Sequence, residues 1–461
     1  MGTGNIFRLV FQVKLTDLLL SEARIAQLGM RRLWRMINHA RTHSPFYREY
    51  YRNLPPQGFT LDQVPPVDKN ILMDNFEDLP VVRGISKQEV VDFAGDPNNI
   101  GKLFRGQYIL THTSGTSGFQ GYYLYDQKGW DTIHSLYLAR APEGMPMYHA
   151  PYRMIKKYRY AVVIPVGGHY ATLLTSEIAP KSKALFFKTH MLSIMLPIEE
   201  MVDTLNKLNP EILHIYPSSL SVMIQEAAGG RLRIKPRIIS SASEYLASHV
   251  RERAEQVFDA TITQRYGTTE CVMIGSTCEH GRLHLSHDWV VLENMDENDQ
   301  PVQVGEAGHH VLITCLYNHL QPLIRYRLDD SLRFYEDPCP CGSKLPSFEV
   351  EGRSYPNYIL KGAHQPLVEI APVSFQVVLI QFKQVLTFQM IRESTERIRL
   401  KLVFLPNTGN IDFEVARAVG ETTQYMRSQG VHESVEIIPE VCDTIPPDPK
   451  SGKLRLFVTE G

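Results

Sequence analysis

Tyr108-Ile109-Leu110-Thr111-His112-Thr113-Ser114-Gly115-Thr116-Ser117-Gly118 runs from a short apolar strand into a loop where small hydroxyl residues alternate with glycine. Glycine lets backbone N–H groups approach a phosphate chain closely, and the hydroxyls add further donors. Taken alone, the segment reads equally well as an ordinary Ser/Thr/Gly turn. No Gly-Lys-Ser/Thr closes the loop, so the Walker pattern is absent and a P-loop ATPase or kinase is a poor candidate.

Three further elements decide between these readings. Tyr266-Gly267-Thr268-Thr269-Glu270 follows a helix and a short strand-like stretch (Ala260 to Gln264), which sets it at a sheet's carboxyl edge. A glutamate there can hold Mg²⁺ against phosphate oxygens, and a threonine hydroxyl can bond an α-phosphate. Pro322-Leu323-Ile324-Arg325-Tyr326-Arg327-Leu328-Asp329-Asp330 follows, with Arg333 just beyond, and an aspartate beside a purine site can accept from both ribose hydroxyls. Pro449-Lys450-Ser451-Gly452-Lys453-Leu454-Arg455 lies near the end of the sequence.

Between these elements the chain alternates strands and helices. Tyr160 to Val166, Glu211 to Tyr216 and Arg237 to Ser241 read as strands, while Met201, Leu205 and Leu208, then Leu246, Val250, Ala254 and Val257, mark helix faces. Strands separated by amphipathic helices imply parallel pairing, because a parallel neighbour needs a long crossover. Ahead of the loop, Leu33, Ile37 and Ala40 mark a helix that stops at Ser44-Pro45, and a Pro- and Asp-rich stretch broken by Pro65-Pro66 leads on from there. Residues 281–350 carry short strands such as His310 to Cys315. The last segment offers a strand (Arg397 to Leu405), a helix (Phe413 to Arg427) and a strand (Val431 to Pro439). The expected fold class is α/β, with a large N-terminal lobe of mainly parallel sheets plus a β-rich subregion, and a small α+β C-terminal lobe. The expected boundary puts residues 1–351 in the first and 352–461 in the second.

A chain of 461 residues exceeds one typical compact domain, which agrees with two lobes. Hydrophobic residues at 43% and charged ones at 21% exclude a mainly disordered or fibrous protein. Lys+Arg at 48 against Asp+Glu at 50 gives a charge of -2, so nothing global draws the chain to nucleic acid or an acidic membrane. Arg8 and Lys14 interrupt the first apolar residues, and no apolar run approaches the roughly 20 residues needed to span a bilayer. A cytoplasmic protein is expected.

The order and spacing of the four elements resemble the adenylate-forming (acyl-CoA synthetase/ligase) superfamily, and within it the phenylacetate–CoA ligase-like branch. His43-Ser44-Pro45-Phe46-Tyr47, Val64-Pro65-Pro66-Val67-Asp68-Lys69, Tyr216-Pro217-Ser218-Ser219 and Ser241-Ala242-Ser243-Glu244 are similar to further segments of that branch. The resemblance implies an enzyme that joins a carboxylic acid, with an aromatic acid as the leading guess, to ATP. It then releases pyrophosphate and passes the acyl group from the adenylate to coenzyme A. It implies that Thr113, Ser114, Gly115, Thr116, Ser117 and Gly118 cradle the β- and γ-phosphates, with Tyr266, Gly267 and Thr268 beside them. Thr269 would meet the α-phosphate, Glu270 would ligate Mg²⁺, Asp330 and Arg333 would hold the ribose, and Ser243 and Glu244 would line the adenine. Lys453 would ride on the small lobe and bridge the carboxylate and α-phosphate. His169 and Tyr170, in Gly167-Gly168-His169-Tyr170, would wall the acid pocket, and a hinge would fall at Gly352-Arg353.

Phe119-Gln120 stands where the family has a basic residue, and Ala363-His364-Gln365-Pro366 departs from the pattern after Lys361-Gly362. Transfer to an amine or a carrier-protein thiol therefore stays open, as does a nucleotide-binding homologue without turnover. A homodimer stays open too.

Six cysteines over this length do not make a disulfide scaffold. Cys339-Pro340-Cys341-Gly342 is a tight knuckle, and Cys278, His280, His284 and His287 lie upstream. Some members of the resembling branch carry zinc at equivalent segments. Cys278, His284, Cys339 and Cys341 fit best, with His280 as the rival imidazole, and four protein ligands would make the zinc structural. Cys271, Cys315 and Cys442 read as ordinary small apolar residues.

Overall fold

The computed structural model describes residues 3–113, 120–141, 156–164, 168–178, 183–243, 246, 248–352, 357–370, 372–379, 381–382, 384–404, 408–443, 445 and 456–460. All architectural statements concern these residues. β1 (Ile109–His112) and β2 (Tyr122–Tyr125) pair antiparallel across the glycine-rich loop. Five strands then pair parallel: β3 (Tyr158–Ile164), β4 (Phe187–Ser193), β5 (Ile212–Ile215), β6 (Ile238–Ala242) and β7 (Thr261–Tyr266). β8 (Gly275–Thr277) and β9 (Leu283–Leu285) continue the sheet antiparallel. β10 (Val290–Met295), β11 (His310–Cys315) and β12 (Leu323–Leu328) form a separate antiparallel sheet. β13 (Ser331–Phe334) and β14 (Ser347–Gly352) return to the first, whose order is β13-β14-β9-β8-β7-β6-β5-β3-β4.

The alternation of strands and helices thus gives the parallel sheet expected from it. β5 buries all four of its residues, as a strand covered on both faces must. Helices Ile198–Leu208 and Ser248–Phe258 contribute Met201, Leu205, Val250 and Ala254 to the core beneath it.

Helix Glu22–His43 buries Ile25, Gly29, Leu33, Met36, Ile37 and Ala40, one stripe at three- and four-residue steps. Residues 44–67 fasten to the β10–β12 sheet. The Tyr47 hydroxyl donates to the Pro322 carbonyl at 3.1 Å, Val67 N–H donates to Arg325 O at 3.1 Å, and Arg327 N–H returns to Val67 O at 2.9 Å. The Pro- and Asp-rich stretch is more regular than its composition suggests. Asp68 and Ser86 cap helices Lys69–Asp74 and Lys87–Gly95, accepting from Ile71 N–H at 2.8 Å and Glu89 N–H at 3.1 Å.

A buried ion cluster ties helix Thr3–Leu19 to the core. Arg140 Nη2 lies 2.9 Å from Asp17 and 2.8 Å from Asp288, and Arg32 lies 3.1 Å from Asp288. Burial disfavours the Arg140 charge, but Asp288 and Asp17 overcome it and hold the guanidinium protonated.

β15 (Tyr358–Lys361) and β16 (Leu367–Ile370) form a hairpin, and β17 (Val385–Arg392), β18 (Arg397–Phe404), β19 (Glu436–Val441) and β20 (Phe457–Thr459) a sheet of order β19-β18-β17-β20. With helix Ile411–Ser428 they enclose their own hydrophobic cluster, which includes Tyr358, Phe375, Leu400, Met426 and Phe457. Met195 packs against that cluster from the larger part, and Gln429 Nε2 donates to Ile194 O at 3.5 Å. The strand expected from Val431 begins only at Glu436. The Arg427 guanidinium takes the carbonyls of His432, Glu433 and Val435, which winds 431–435 into a turn.

Candidate active site and metal centre

The carboxyl ends of the parallel strands bring the sequence elements together. Gly168, His169 and Tyr170 come after β3, while β5 runs into Tyr216, β6 into Ser243, and β7 into Gly267 to Glu270. In open α/β sheets this edge is where ligands bind. Ser114 to Phe119, Glu244, Arg353 to Pro356 and Lys453 lie outside the described residues.

Thr113 clamps the base of the glycine-rich loop. Its N–H donates to Gly121 O at 2.9 Å, and its Oγ1 accepts from Gly121 N–H at 2.8 Å. β1 and β2 dock directly on the 266–270 segment. Thr111 Oγ1 donates to Thr269 O at 3.4 Å, and the Tyr125 hydroxyl lies 3.2 Å from Thr269 O and 2.8 Å from Glu270 O.

The turn at 266–270 needs its glycine, because a Cβ on Gly267 would stand 2.1 Å from Val272 O. Thr268 closes the turn: its N–H donates to Cys271 O at 3.0 Å, and its hydroxyl accepts from Cys271 N–H at 3.1 Å. Thr269 is half-buried, while Glu270 is buried. Glu270 Oε1 accepts from the Tyr326 hydroxyl at 3.1 Å and from the Tyr123 hydroxyl at 3.5 Å. The two hydroxyls lie 3.2 Å apart, and burial pushes both phenols well above their ordinary range, so they stay protonated donors. Sequence reading assigned no role to Tyr123 or Tyr326. The only signal was position, one just past the glycine-rich loop and one inside the third element.

Asp330 is buried, and the Tyr266 hydroxyl donates to its Oδ2 at 2.6 Å, joining the second and third elements. Arg333 lies on β13 with Nε 3.6 Å from Glu349 Oε1. Ser243 holds φ at +74°, a left-handed conformation that costs a serine free energy, and its Oγ lies 2.9 Å from Thr172 Oγ1. Gln120 meets the Tyr122 hydroxyl at 2.7 Å through Oε1.

His169 and Tyr170 are joined to the glycine-rich loop through His112. His112 N–H donates to His169 O at 3.0 Å, and His169 N–H donates to His112 Nε2 at 3.1 Å. Burial, with His112 nearby, lowers the His169 imidazole to about 4, while the Leu110 carbonyl opposes the shift weakly. The ring is therefore neutral at physiological pH.

The cysteine cluster assembles on one side of the same sheet. The ligand atoms of Cys278, His284, Cys339 and Cys341 all lie within 4.8 Å of one another. Cys278 Sγ is 3.6 Å from Cys339 Sγ, and Cys341 Sγ is 3.4 Å from His284 Nε2. His284 Nδ1 meets Leu345 O at 2.9 Å, which turns Nε2 toward the sulfurs. Burial, opposed by the Ser343 N–H and reinforced by the neighbouring thiols, pushes Cys341 up to about 12. A divalent ion favours thiolates as ligands, and three cysteines with one imidazole make a closed tetrahedral set. The residues fit zinc, with His284 as the imidazole. His280 instead lies about half exposed beside Glu279. Cys271 and Cys315 are fully buried, whereas Cys442 is only half-buried with Sγ 3.4 Å from Glu440 Oε1, so it is not the apolar residue expected.

The chain shares its fold with solved CoA ligases. In particular, the chain matches 2-hydroxyisobutyryl-CoA ligase in its thioesterification state with 2-HIB-AMP and CoA. The TM-score is 0.60 and the identity 18%, over 97% of this chain and 91% of that one. The same ligase in an open conformation gives 0.54 and 15% over 94% and 91%, and in its postadenylation state 0.54 and 16% over 94% and 89%. No family model and no curated protein matches the chain.

Proposed function

We propose that this chain is an ATP-dependent, AMP-forming carboxylate ligase of the phenylacetate–CoA ligase-like branch. In this reading it makes an acyl-adenylate and passes the acyl group to coenzyme A. The observation that carries the proposal is the sheet edge after β6 and β7 that carries Ser243, Thr269 and Glu270, with Thr111 bonded to Thr269 and Asp330 to Tyr266, in a fold shared with a ligase solved with acyl-AMP.

Two anions, a carboxylate and a triphosphate, have to meet, so the site must cancel charge at the α-phosphate. Glu270, fixed through Oε1, would hold Mg²⁺, which when bound neutralises phosphate oxygens. Thr269 would bond the α-phosphate and the loop from Thr113 to Gly118 the outer phosphates. Asp330, oriented by Tyr266, would accept from the ribose, and Ser243 and Glu244 would line the adenine. Residues 352–461 would act as a mobile lid that brings Lys453 to the acid and α-phosphate oxygens. Phe93 and Tyr170, close around His169 and His112, favour an aromatic acid. Cys278, His284, Cys339 and Cys341 would hold a structural zinc.

No described helix is long and apolar enough to cross a membrane, which agrees with a cytoplasmic enzyme. The segment from Ala363 to Pro366, unlike the family pattern, keeps transfer to an amine or a carrier-protein thiol as the second reading.

Acid-dependent pyrophosphate–ATP exchange over a panel of aryl and alkyl acids tests the proposal. Exchange is expected in wild type and is expected to fall on the order of 10²- to 10³-fold in Lys453→Ala. Release of ADP and orthophosphate, or no exchange with any acid, would refute it. Thioester formation on adding coenzyme A then decides the acceptor.

A further inference from the structure

The strand order reverses between β3 and β5: from β3 the chain goes to β4 on one side, then returns to β5, β6 and β7 on the other. The crevice outside the carboxyl ends at such a reversal is the ligand site of open α/β sheets. His169 and Tyr170 follow β3, and Tyr216 follows β5 and packs with Tyr170.

His169 has no solvent exposure, and among the described residues neither ring nitrogen makes a hydrogen bond of ordinary geometry, the Leu110 carbonyl acting on the ring only weakly. The buried Tyr170 hydroxyl has none either. Buried polar atoms are almost always paired, so three unpaired ones at a ligand edge require an explanation.

His112 beside them is fully paired. Its Nε2 accepts from His169 N–H at 3.1 Å, so that nitrogen carries no proton, and Nδ1–H donates to Thr113 O at 3.0 Å. Because His112 N–H also donates to His169 O at 3.0 Å, the His169 backbone is held to β1 from both sides. Gly168 is wedged in the same place, where a Cβ would stand 2.9 Å from the Tyr170 ring and 3.3 Å from His112 Nε2. The backbone here is held in place, and among the described residues no side chain pairs with these ring and hydroxyl atoms. The ring contacts are Phe93 at 5.3 Å and His112 at 6.2 Å for His169, and His112 at 5.1 Å for Tyr170.

We propose that His169 and Tyr170 are a specificity pair, and that the acid carries a neutral hydrogen-bonding substituent, a hydroxyl or an amino group, apart from its carboxylate. This rests on the adenylation reading above and names the substrate class within it. A neutral imidazole offers one donor and one acceptor, and the phenol adds a donor, so a hydroxyl or amine can both give and take here. A plain hydrocarbon acid would leave these atoms unpaired. A second carboxylate would bring a charge to a wall where the titratable groups acting on these two side chains are His112 and Tyr216. Sites built to bond a substrate hydroxyl reject the analogue lacking it far more strongly than apolar pockets reject a missing methylene.

The test is pyrophosphate–ATP exchange by the full chain with matched acids: benzoate and phenylacetate against their ring-hydroxy and ring-amino derivatives, and isobutyrate against its 2-hydroxy derivative. In wild type, kcat/KM for the best substituted acid is expected to exceed its unsubstituted partner by about 100-fold or more. His169→Leu and Tyr170→Phe are each expected to shrink that ratio about ten-fold, mainly through KM for the substituted acid. Tyr170→Phe deletes one oxygen and guards against misfolding of the leucine variant. Equal or better use of the unsubstituted acids by wild type overturns the inference and leaves adenylation standing, as does an unchanged ratio in both variants. No exchange with any acid removes the adenylation reading and this inference with it.

Discussion

Glu270 receives both of its described hydrogen bonds on one oxygen, Oε1, from the buried hydroxyls of Tyr326 and Tyr123. Two donors on one oxygen fix the carboxylate plane and leave the other oxygen for a cation, as outer-shell partners do around metal ligands. A hydrogen bond to a charged acceptor is worth about 1.5–3 kcal/mol. Tyr326→Phe is therefore expected to raise the Mg²⁺ concentration for half-maximal exchange on the order of ten-fold, measured by Mg²⁺ titration at saturating ATP. Tyr123→Phe, whose bond to Glu270 is longer at 3.5 Å, is expected to have the smaller effect. A rise in KM for the acid with an unchanged Mg²⁺ requirement would show that the tyrosines act elsewhere.

At the scale of elements, the cysteine cluster joins pieces that the strands alone hold loosely. Cys278 and His284 come from the β8–β9 connection and β9, while Cys339 and Cys341 come from the segment between β13 and β14. β14 pairs with β9 through Ser347 with His284 and Phe348 with Leu283, so a metal would cross-link the antiparallel half of the sheet beside that short ladder. Mass spectrometry of the purified chain is expected to find about one zinc per chain, lost in Cys339→Ser. That variant should lower the thermal midpoint by on the order of 5 °C. Retention of zinc in Cys339→Ser would remove the assignment. The sequence reading already preferred His284 to His280, and the β9–β14 pairing gives the reason, setting His284 opposite Ser347 just past the knuckle.

Across the whole molecule, buried imidazoles link folding to pH. Burial holds His169 at about 4 and lowers His112 as well, while an unfolded chain takes up these protons near 6.5. Their contribution is whole above about 6.5 and is lost as pH falls toward 4, because the unfolded state then binds the extra protons. His112 is the titratable ring facing His169 among the described residues. Urea midpoints are expected to fall from pH 7 to pH 5 more steeply in wild type than in His169→Leu, by on the order of 1 to 2 kcal/mol for this one group. Parallel pH profiles would mean that His169 takes up its proton as readily in the native as in the unfolded state. Much of the architecture was legible because it rests on local periodicity: the stripe Leu33, Ile37, Ala40, the strands before Tyr216 and Ser241, and the turn Tyr266 to Glu270 all carry their pattern in adjacent residues. The turn around Arg427 and the caps at Asp68 and Ser86 were less legible, because they depend on side chains bonding particular backbone groups. The sequence by itself determined the class of sheet, the order of the four motif elements, and the cysteine knuckle, since spacing and residue chemistry are properties of a linear chain. Only the tertiary structure decided that Tyr123 and Tyr326 converge on Glu270, and that His169 is buried beside His112, its backbone bonded to that residue from both sides. Those contacts join residues far apart in the chain, and their distances are set by strand order and packing, which no local pattern encodes.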